Sequence, residues 1–184
     1  MPHICPKCGA PLLAESEAYP RHQVPKTDAG FGSRSVRVLL DNIRSLYNVG
    51  SIFRTAEAVG IRHVHLCGMT ATPENPRLAK TALGAEKKVA WSYHPNAVLA
   101  AQELREQGFA LWAIEGGEQA QSLFALQPPA EQKIVLVIGN ELAGVDPAVL
   151  RLAERVLFIP MRGEKESLNL TVAFGIAAYF LRSL

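Results

Sequence analysis

The chain has 184 residues, of which 48% are hydrophobic and 20% charged, and its formal net charge is +2 at pH 7. These values predict a globular domain with a sizeable core, and a charge so close to neutral does not by itself mark a nucleic-acid-binding protein. Three cysteines make no disulfide framework, and the chain shows neither a signal peptide nor a transmembrane run. We therefore expect a cytoplasmic protein with no membrane contact.

Residues 1–33 differ from the rest of the chain in being rich in Pro, Ser, Gly and charge, with little periodicity. We predict an N-terminal extension over 1–33 and one domain over 34–184. The extension contains a Cys5-Pro6-Lys7-Cys8-Gly9 turn of the CxxC type, with His3 and His22 as possible further ligands. Structural zinc takes four ligands, usually from two such turns, and a second cysteine pair is absent. A local zinc site, a degenerate half of one and a flexible tail all remain open, and we assign no metal ligand.

From residue 36 onward, strands and helices alternate. Strands are predicted at 36–40, 63–67, 89–93, 109–114, 134–138 and 156–159. Helices are predicted at 51–59, 78–88 and 96–107, before Pro128, from Pro147 with Asp146 as N-cap, and from 168 to 181 with Ser167 as N-cap. Because the strands are apolar on both faces, we expect an α/β fold with a mostly parallel sheet and helices on both faces.

Polar clusters follow four of these strands, after Leu40, Ile114, Ile138 and Ile159. In open parallel sheets, ligands bind beyond the carboxyl ends of the strands. These clusters therefore mark the expected site, and Cys67, inside an apolar strand, is expected in the core.

The final predicted helix is apolar on all sides and must be covered on all sides. Asn169, Thr171 and Gly175 interrupt it, and it is too short to cross a bilayer. We expect its cover to be protein, including a second subunit.

Three motifs carry the functional prediction, although each alone reads equally well as a turn, a loop or a helix cap. They are Asn48-Val49-Gly50-Ser51-Ile52-Phe53-Arg54-Thr55-Ala56, then Gly139-Asn140-Glu141-x-x-Gly144, then Ile159-Pro160-Met161-x-Gly163-x-x-x-Ser167-Leu168-Asn169. In this order they resemble the signature motifs of the SpoU (TrmH-like) branch of the SPOUT RNA methyltransferases. The resemblance extends over residues 36–184.

The resemblance implies a ribose 2′-O-methyltransferase that uses S-adenosylmethionine, a SPOUT fold with a C-terminal deep trefoil knot, and a homodimer with its active site near the interface. The implied cofactor-binding residues are Glu115, Gly116, Gly139, Glu141, Gly144, Ile159, Met161, Ser167 and Leu168. The implied catalytic residues are Arg54, Asn48, Glu141, Ser167 and Asn169. Among these, Arg54 matches the arginine at the ribose 2′-hydroxyl and phosphate, and the others orient it and the substrate.

The chemistry implied is an in-line displacement in which a ribose oxygen attacks a sulfonium methyl group, with no metal required. A guanidinium whose pKa exceeds about 12 is a poor base. We therefore expect Arg54 to stabilise the developing alkoxide and anchor a phosphate, while Glu141 either orients Arg54 or accepts the proton.

The RNA remains open among a tRNA wobble nucleotide, the tRNA D-loop guanosine and ribosomal RNA, with compact family members favouring tRNA slightly. A non-catalytic RNA-binding protein that retains the fold is the main alternative. A doubly wound oxidoreductase is disfavoured because no GxGxxG follows the first strand.

Overall fold

The structure is a computed structural model that describes residues 4–10, 27, 32–127, 132–165 and 167–184. Its described strands form one seven-stranded sheet in the order β3-β2-β1-β6-β4-β7-β5. They are β1 (Ser35–Asp41), β2 (His63–Cys67), β3 (Ala90–His94), β4 (Ala110–Ile114), β5 (Gln121–Ser122), β6 (Lys133–Ile138) and β7 (Arg155–Phe158). Every neighbouring pair is parallel, which confirms the α/β prediction.

Helices cover both faces of this sheet. They are α1 (Leu46–Ala58), α2 (Ala79–Ala82), α3 (Ala97–Glu106), α4 (Pro147–Leu150) and α5 (Leu170–Ser183). On one face, Phe53 of α1 and Phe174 of α5 are buried in a core cluster with Leu40 and Leu136. On the other face, Leu104 of α3 joins a second cluster. Alternation of side chains along each strand divides the core into these two layers.

The prediction that the first helix begins at Ser51 is wrong, because α1 begins at Leu46 with Ser45 as its N-cap. The Ser45 hydroxyl accepts a hydrogen bond from the Asn48 backbone amide at 3.3 Å. Gly50 therefore lies inside the helix, and a Cβ there would stand 2.7 Å from the Leu78 carbonyl oxygen. Glycine thus permits α1 and the start of α2 to pack closely.

The prediction of one helix over 78–88 is also wrong. Leu83 and Gly84 have φ values of 51° and 92°, which end α2 and leave a separate 3-10 turn at Ala85–Lys87. A left-handed residue stops an α-helix, and glycine adopts that conformation without steric cost.

The last helix begins later than predicted. Its N-cap is Asn169 rather than Ser167, because the Asn169 side chain accepts a hydrogen bond from the Thr171 amide at 2.9 Å. Phe174, Ala177, Ala178 and Leu181 are buried. Val172 and Tyr179 remain 48% exposed, so a single chain does not cover this helix on all sides.

Arg182 joins the end of α5 to the C-terminus of α1 and to the residues just before β1. Its guanidinium donates hydrogen bonds to the carbonyl oxygens of Val59 at 3.1 Å, Gly32 at 2.8 Å and Arg34 at 2.7 Å.

Among the described residues, no helix combines the length and apolarity that a bilayer crossing requires.

Candidate functional site

A cavity of about 850 Å³ opens at the carboxyl ends of β4, β6 and β7. It is lined by all nine residues predicted to bind the cofactor: Glu115, Gly116, Gly139, Glu141, Gly144, Ile159, Met161, Ser167 and Leu168. Asn169 lines it as well. The structure therefore brings three separate segments of the chain into one site, at the edge where a parallel sheet binds its ligands.

The loop after β6 forms a closed turn at the cavity wall. Asn140 and Gly144 exchange backbone hydrogen bonds of 2.8 and 3.0 Å. A Cβ at Gly139 would collide with the backbone of Gly144 and Val145, and Gly144 itself has a φ of 72°. The turn therefore requires Gly139 because a Cβ has no room there, and Gly144 because its backbone is left-handed.

Glu115 joins the end of β4 to this loop. Its carboxylate accepts hydrogen bonds from the backbone amides of Val145 at 2.9 Å and Gly116 at 3.1 Å. A carboxylate has four acceptor positions, so it can hold the loop and still accept from a ligand. Glu115 thus shapes the cavity wall whichever ligand binds there.

Glu141 connects the cavity to α1. Its carboxylate accepts from the backbone amides of Arg44 and Ser45, both at 2.9 Å, and from the Asn48 side-chain amide at 3.0 Å. Burial raises the pKa of this carboxyl, but these hydrogen bonds favour the charged form and leave its pKa below the ordinary value. Glu141 is therefore ionised at neutral pH and is a weak proton acceptor.

Arg54 lies apart from the main cavity in the single chain. It is exposed on α1 and lines a second, smaller cavity of about 280 Å³. The other residues of that cavity are Ser51, Thr55, Ala58 and Tyr179. The five predicted catalytic residues are thus divided: Glu141, Ser167 and Asn169 line the main cavity, Asn48 contacts Glu141, and Arg54 lies elsewhere.

Asn42 and Asn140 support the site and were not predicted. The Asn140 side chain accepts from the amides of Leu142 and Ala143 at 2.9 and 3.1 Å, and it donates to the Asn42 carbonyl at 2.6 Å. Asn42 is left-handed, with φ 57°. Asn140 lies within the second motif, so its position was visible in the sequence, whereas its hydrogen bond to Asn42 was not.

Tyr47 is an exposed aromatic residue near the start of α1. It is 54% exposed, one residue before Asn48, and lies seven residues before Arg54. At helical spacing, Tyr47, Ser51, Arg54 and Ala58 follow one another along the outer face of α1.

The comparisons with known proteins agree with this fold. The model of the SpoU rRNA Methylase family matches residues 35–179. The chain belongs to that family, which confirms the resemblance of its three motifs.

Two curated relatives illustrate the likeness. The 23S rRNA (guanosine(2553)-2′-O)-methyltransferase RlmP of Bacillus subtilis is 32% identical over 79% of this chain and 57% of its own length. The tRNA (guanosine(18)-2′-O)-methyltransferase of Thermus thermophilus is 31% identical over 77% of this chain and 71% of its own. The chain thus spans little more than half of the first of these relatives.

Two solved structures share the fold. An AdoMet-bound rRNA methyltransferase from Sinorhizobium meliloti matches with a TM-score of 0.75 and 27% identity, over 82% of this chain and 57% of that one. A structure concerned with the 2-OH methylation of C/U34 on tRNA matches with a TM-score of 0.71 and 29% identity. That match covers 82% of this chain and 95% of the other.

Proposed function

We propose that this protein transfers a methyl group from S-adenosylmethionine to a ribose 2′-hydroxyl of tRNA or rRNA. The observation that carries the proposal is the contact between motifs. The cavity is lined by the second and third motifs, and Glu141 in its wall is hydrogen-bonded to Asn48 of the first motif. Membership of the SpoU family supports the same activity.

The cavity suits a nucleoside-sized cofactor. Its volume of about 850 Å³ lies within the range of small-molecule sites, and Ile138, Leu157 and Leu168 supply apolar wall. Backbone groups of Gly139, Ile159 and Leu168 would hold the adenosine part, with Glu115 and Gly116 at its edge. When bound, S-adenosylmethionine supplies a sulfonium methyl group that a ribose oxygen can displace.

The outer face of α1 would meet the RNA. Arg54 provides a planar, permanently charged group for a phosphate and for the developing charge on the 2′-oxygen. Tyr47 offers an exposed ring on the same helix face, and bases stack on such rings in many single-stranded RNA complexes.

Glu141 would act as a positioning residue rather than as the proton acceptor. Its lowered pKa makes it a poor base, and its three hydrogen bonds secure the start of the helix that carries Arg54. Asn169 and Ser167 would complete the polar wall where the ribose enters. Of the two roles open for Glu141, orientation is therefore the one that we assign.

We infer further that the protein works as a homodimer in the cytoplasm, with the 34–184 domain as its catalytic unit and 1–33 as an extension. The exposed apolar side chains of Val172 and Tyr179 on α5 give a second subunit a surface to cover. Because Arg54 and Tyr179 line the same small cavity, Arg54 lies at the edge of the surface that this subunit would cover. The deep trefoil knot is proposed on the resemblance of the three motifs to the SPOUT methyltransferases.

The test is transfer of labelled methyl from S-adenosylmethionine to total tRNA and, separately, to ribosomal RNA, followed by mapping of the product. Arg54→Ala is compared with Arg151→Ala, an exposed arginine at the end of α4. A 2′-O-methylated nucleotide formed by the wild type and Arg151→Ala, and lost in Arg54→Ala, supports the proposal. Failure to bind S-adenosylmethionine contradicts it and favours a non-catalytic RNA-binding protein.

A further inference from the structure

Two residues at the end of β1 hold the cavity loop, which runs over residues 139–146. Asp41, the last residue of β1, is only 2% exposed, and one of its carboxylate oxygens accepts a hydrogen bond from the Asp146 backbone amide at 2.8 Å. The carbonyl oxygen of the next residue, Asn42, accepts from the Asn140 side chain at 2.6 Å. The end of β1 is therefore hydrogen-bonded to the cavity loop near both of its ends.

The hydrogen bonds around Asp41 have a fixed direction. Its other carboxylate oxygen accepts from the Asn42 side-chain amide at 2.9 Å. Asn42 cannot reverse this amide without loss, because its side-chain oxygen accepts from the Met69 backbone amide at 3.1 Å. The Asp146 backbone amide is a donor only. Both oxygens of Asp41 must therefore be acceptors, which a carboxylate provides and a side-chain amide does not.

Asp41 acts from outside the cavity. Neither Asp41 nor Asn42 lines it. Asp41 pairs in register with Cys67 of β2, which is buried in the core as the sequence predicted. Burial raises the pKa of the Asp41 carboxyl, while the hydrogen bonds from Asp146 and Asn42 favour its charged form. Any effect of Asp41 on a bound cofactor must pass through the cavity loop.

We propose that Asp41 is a positioning residue that holds the cavity loop in its binding conformation and so sets the affinity for S-adenosylmethionine without touching it. This inference rests on the proposed function. A ligand binds the fraction of molecules in which its site is already formed, so a loop that opens more often lowers the apparent affinity in proportion. Asp41→Asn has one acceptor oxygen for two donors, and its new N–H groups face the other donor.

The experiment compares full-length wild type with Asp41→Asn in three measurements. Calorimetry should show that the affinity for S-adenosylmethionine falls by about 10-fold or more. KM for S-adenosylmethionine should rise by a similar factor, while kcat at saturating cofactor changes by less than about 3-fold, because the cofactor-bound loop is closed in both proteins. Hydrogen exchange should become faster at the Asp146 amide, which loses its acceptor.

Val64→Ala is the matched control for a loss of stability alone. Val64 lies in β2, is fully buried in the core cluster that contains Phe53, and does not line the cavity. This variant should lower the urea midpoint of unfolding but keep the wild-type cofactor affinity and the wild-type exchange at the Asp146 amide. A fall in affinity as large as that of Asp41→Asn would show that general stability governs binding, and it would overturn the proposal.

The remaining outcomes separate this inference from the proposed function. If wild type binds S-adenosylmethionine and Asp41→Asn binds it equally well, the inference is wrong and the proposed function stands. Wild-type protein that binds no S-adenosylmethionine contradicts both together. Unchanged exchange at the Asp146 amide refutes the hold on the loop whatever the cofactor affinity.

A circular dichroism spectrum checks that each variant is folded. Should Asp41→Asn not fold, Asp41→Ser takes its place with the same expected results. Serine removes the carboxylate without placing an amide N–H group against the two donors.

Discussion

The side-chain amide of Asn48 donates a hydrogen bond of 3.0 Å to the carboxylate of Glu141, a residue 93 positions further along the chain. The same carboxylate accepts from the backbone amides of Arg44 and Ser45. The start of α1 is therefore capped by a residue of the cavity wall. These hydrogen bonds join the cavity loop to the helix that carries Arg54.

Replacing Glu141 with Gln tests whether the hydrogen bonds from the start of α1 need a charged acceptor. The amide cannot accept from three donors with the strength of a carboxylate, so we expect methyl transfer to fall by about 10-fold to 100-fold, equivalent to about 1–3 kcal/mol of lost interaction. Because the side chain is exposed, the free energy of unfolding at pH 7 should fall by only about 1 kcal/mol or less.

The pH dependence provides the control. The pKa of Glu141 in the folded protein lies below its unfolded value, which is near 4.5. The ionised carboxylate therefore stabilises the fold above pH 4.5, and this stabilisation is lost as the pH falls through the folded-state pKa. Denaturant unfolding should therefore show a smaller difference between wild type and Glu141→Gln at pH 3 than at pH 7. An equal difference at both values would refute the role of the ionised carboxylate.

Gly139→Ala should weaken cofactor binding strongly. The added Cβ would collide with the backbone of Gly144 and Val145, which cannot move without opening the turn at the cavity wall. We expect affinity for S-adenosylmethionine, measured by calorimetry, to fall by about 100-fold or more, since strained backbone costs about 1–3 kcal/mol and the cavity changes shape as well.

The matched control is Gly175→Ala in α5, where the new Cβ would stand 3.9 Å from the Thr55 methyl group. That separation is an ordinary contact, and alanine favours a helix over glycine by about 1 kcal/mol. Gly175→Ala should keep cofactor affinity and raise the melting temperature. Normal affinity in Gly139→Ala would show that the turn is not needed for binding.

Arg54→Lys should reduce methyl transfer while leaving cofactor affinity unchanged. Arg54 does not line the main cavity, so cofactor binding has no need of it. Lysine keeps the charge but loses the planar fork, and we expect a drop of about 10-fold or more in single-turnover rate. Near-normal transfer by this variant would rule out a requirement for the guanidinium geometry.

A buried histidine should make the fold sensitive to acid. His65 lies 3.1 Å from both the Ser92 hydroxyl and the His94 ring, and burial first, with His63, His94 and Arg37 nearby, lowers its pKa to about 3. The unfolded chain takes up a proton near pH 6.5, but the folded one does not. Stability should therefore be full above pH 6.5 and fall as pH decreases towards 3.

His65→Gln removes this titration. Between pH 6.5 and 4.5, we expect the free energy of unfolding of wild type to fall more steeply than that of the variant, by up to about 1.4 kcal/mol per pH unit. Urea unfolding at a series of pH values measures the slope. Parallel curves for the two proteins would mean that His65 is protonated in the folded state.

Apart from the two-residue strand β5, which was not predicted, the order of the strands and the edge of the sheet where the cavity lies were visible in the sequence by itself. Apolar strands alternating with helices predicted the parallel sheet, and polar residues after Ile114, Ile138 and Ile159 marked the cavity, because strand periodicity and turn chemistry are local properties of the chain. The three motifs were sufficient to identify the family.

Tertiary structure alone decided how the start of α1 is joined to the cavity loop and how the predicted catalytic residues are divided. The Ser45 cap is local, but the Glu141 carboxylate that accepts from Asn48 lies 93 residues away from it, which no local pattern reveals. The distance of Arg54 from the cavity likewise depends on how α1 packs against α5. Contacts between segments remote in sequence form only when the whole sheet is assembled. Periodicity, a local property, could therefore predict individual elements but not the contacts between them.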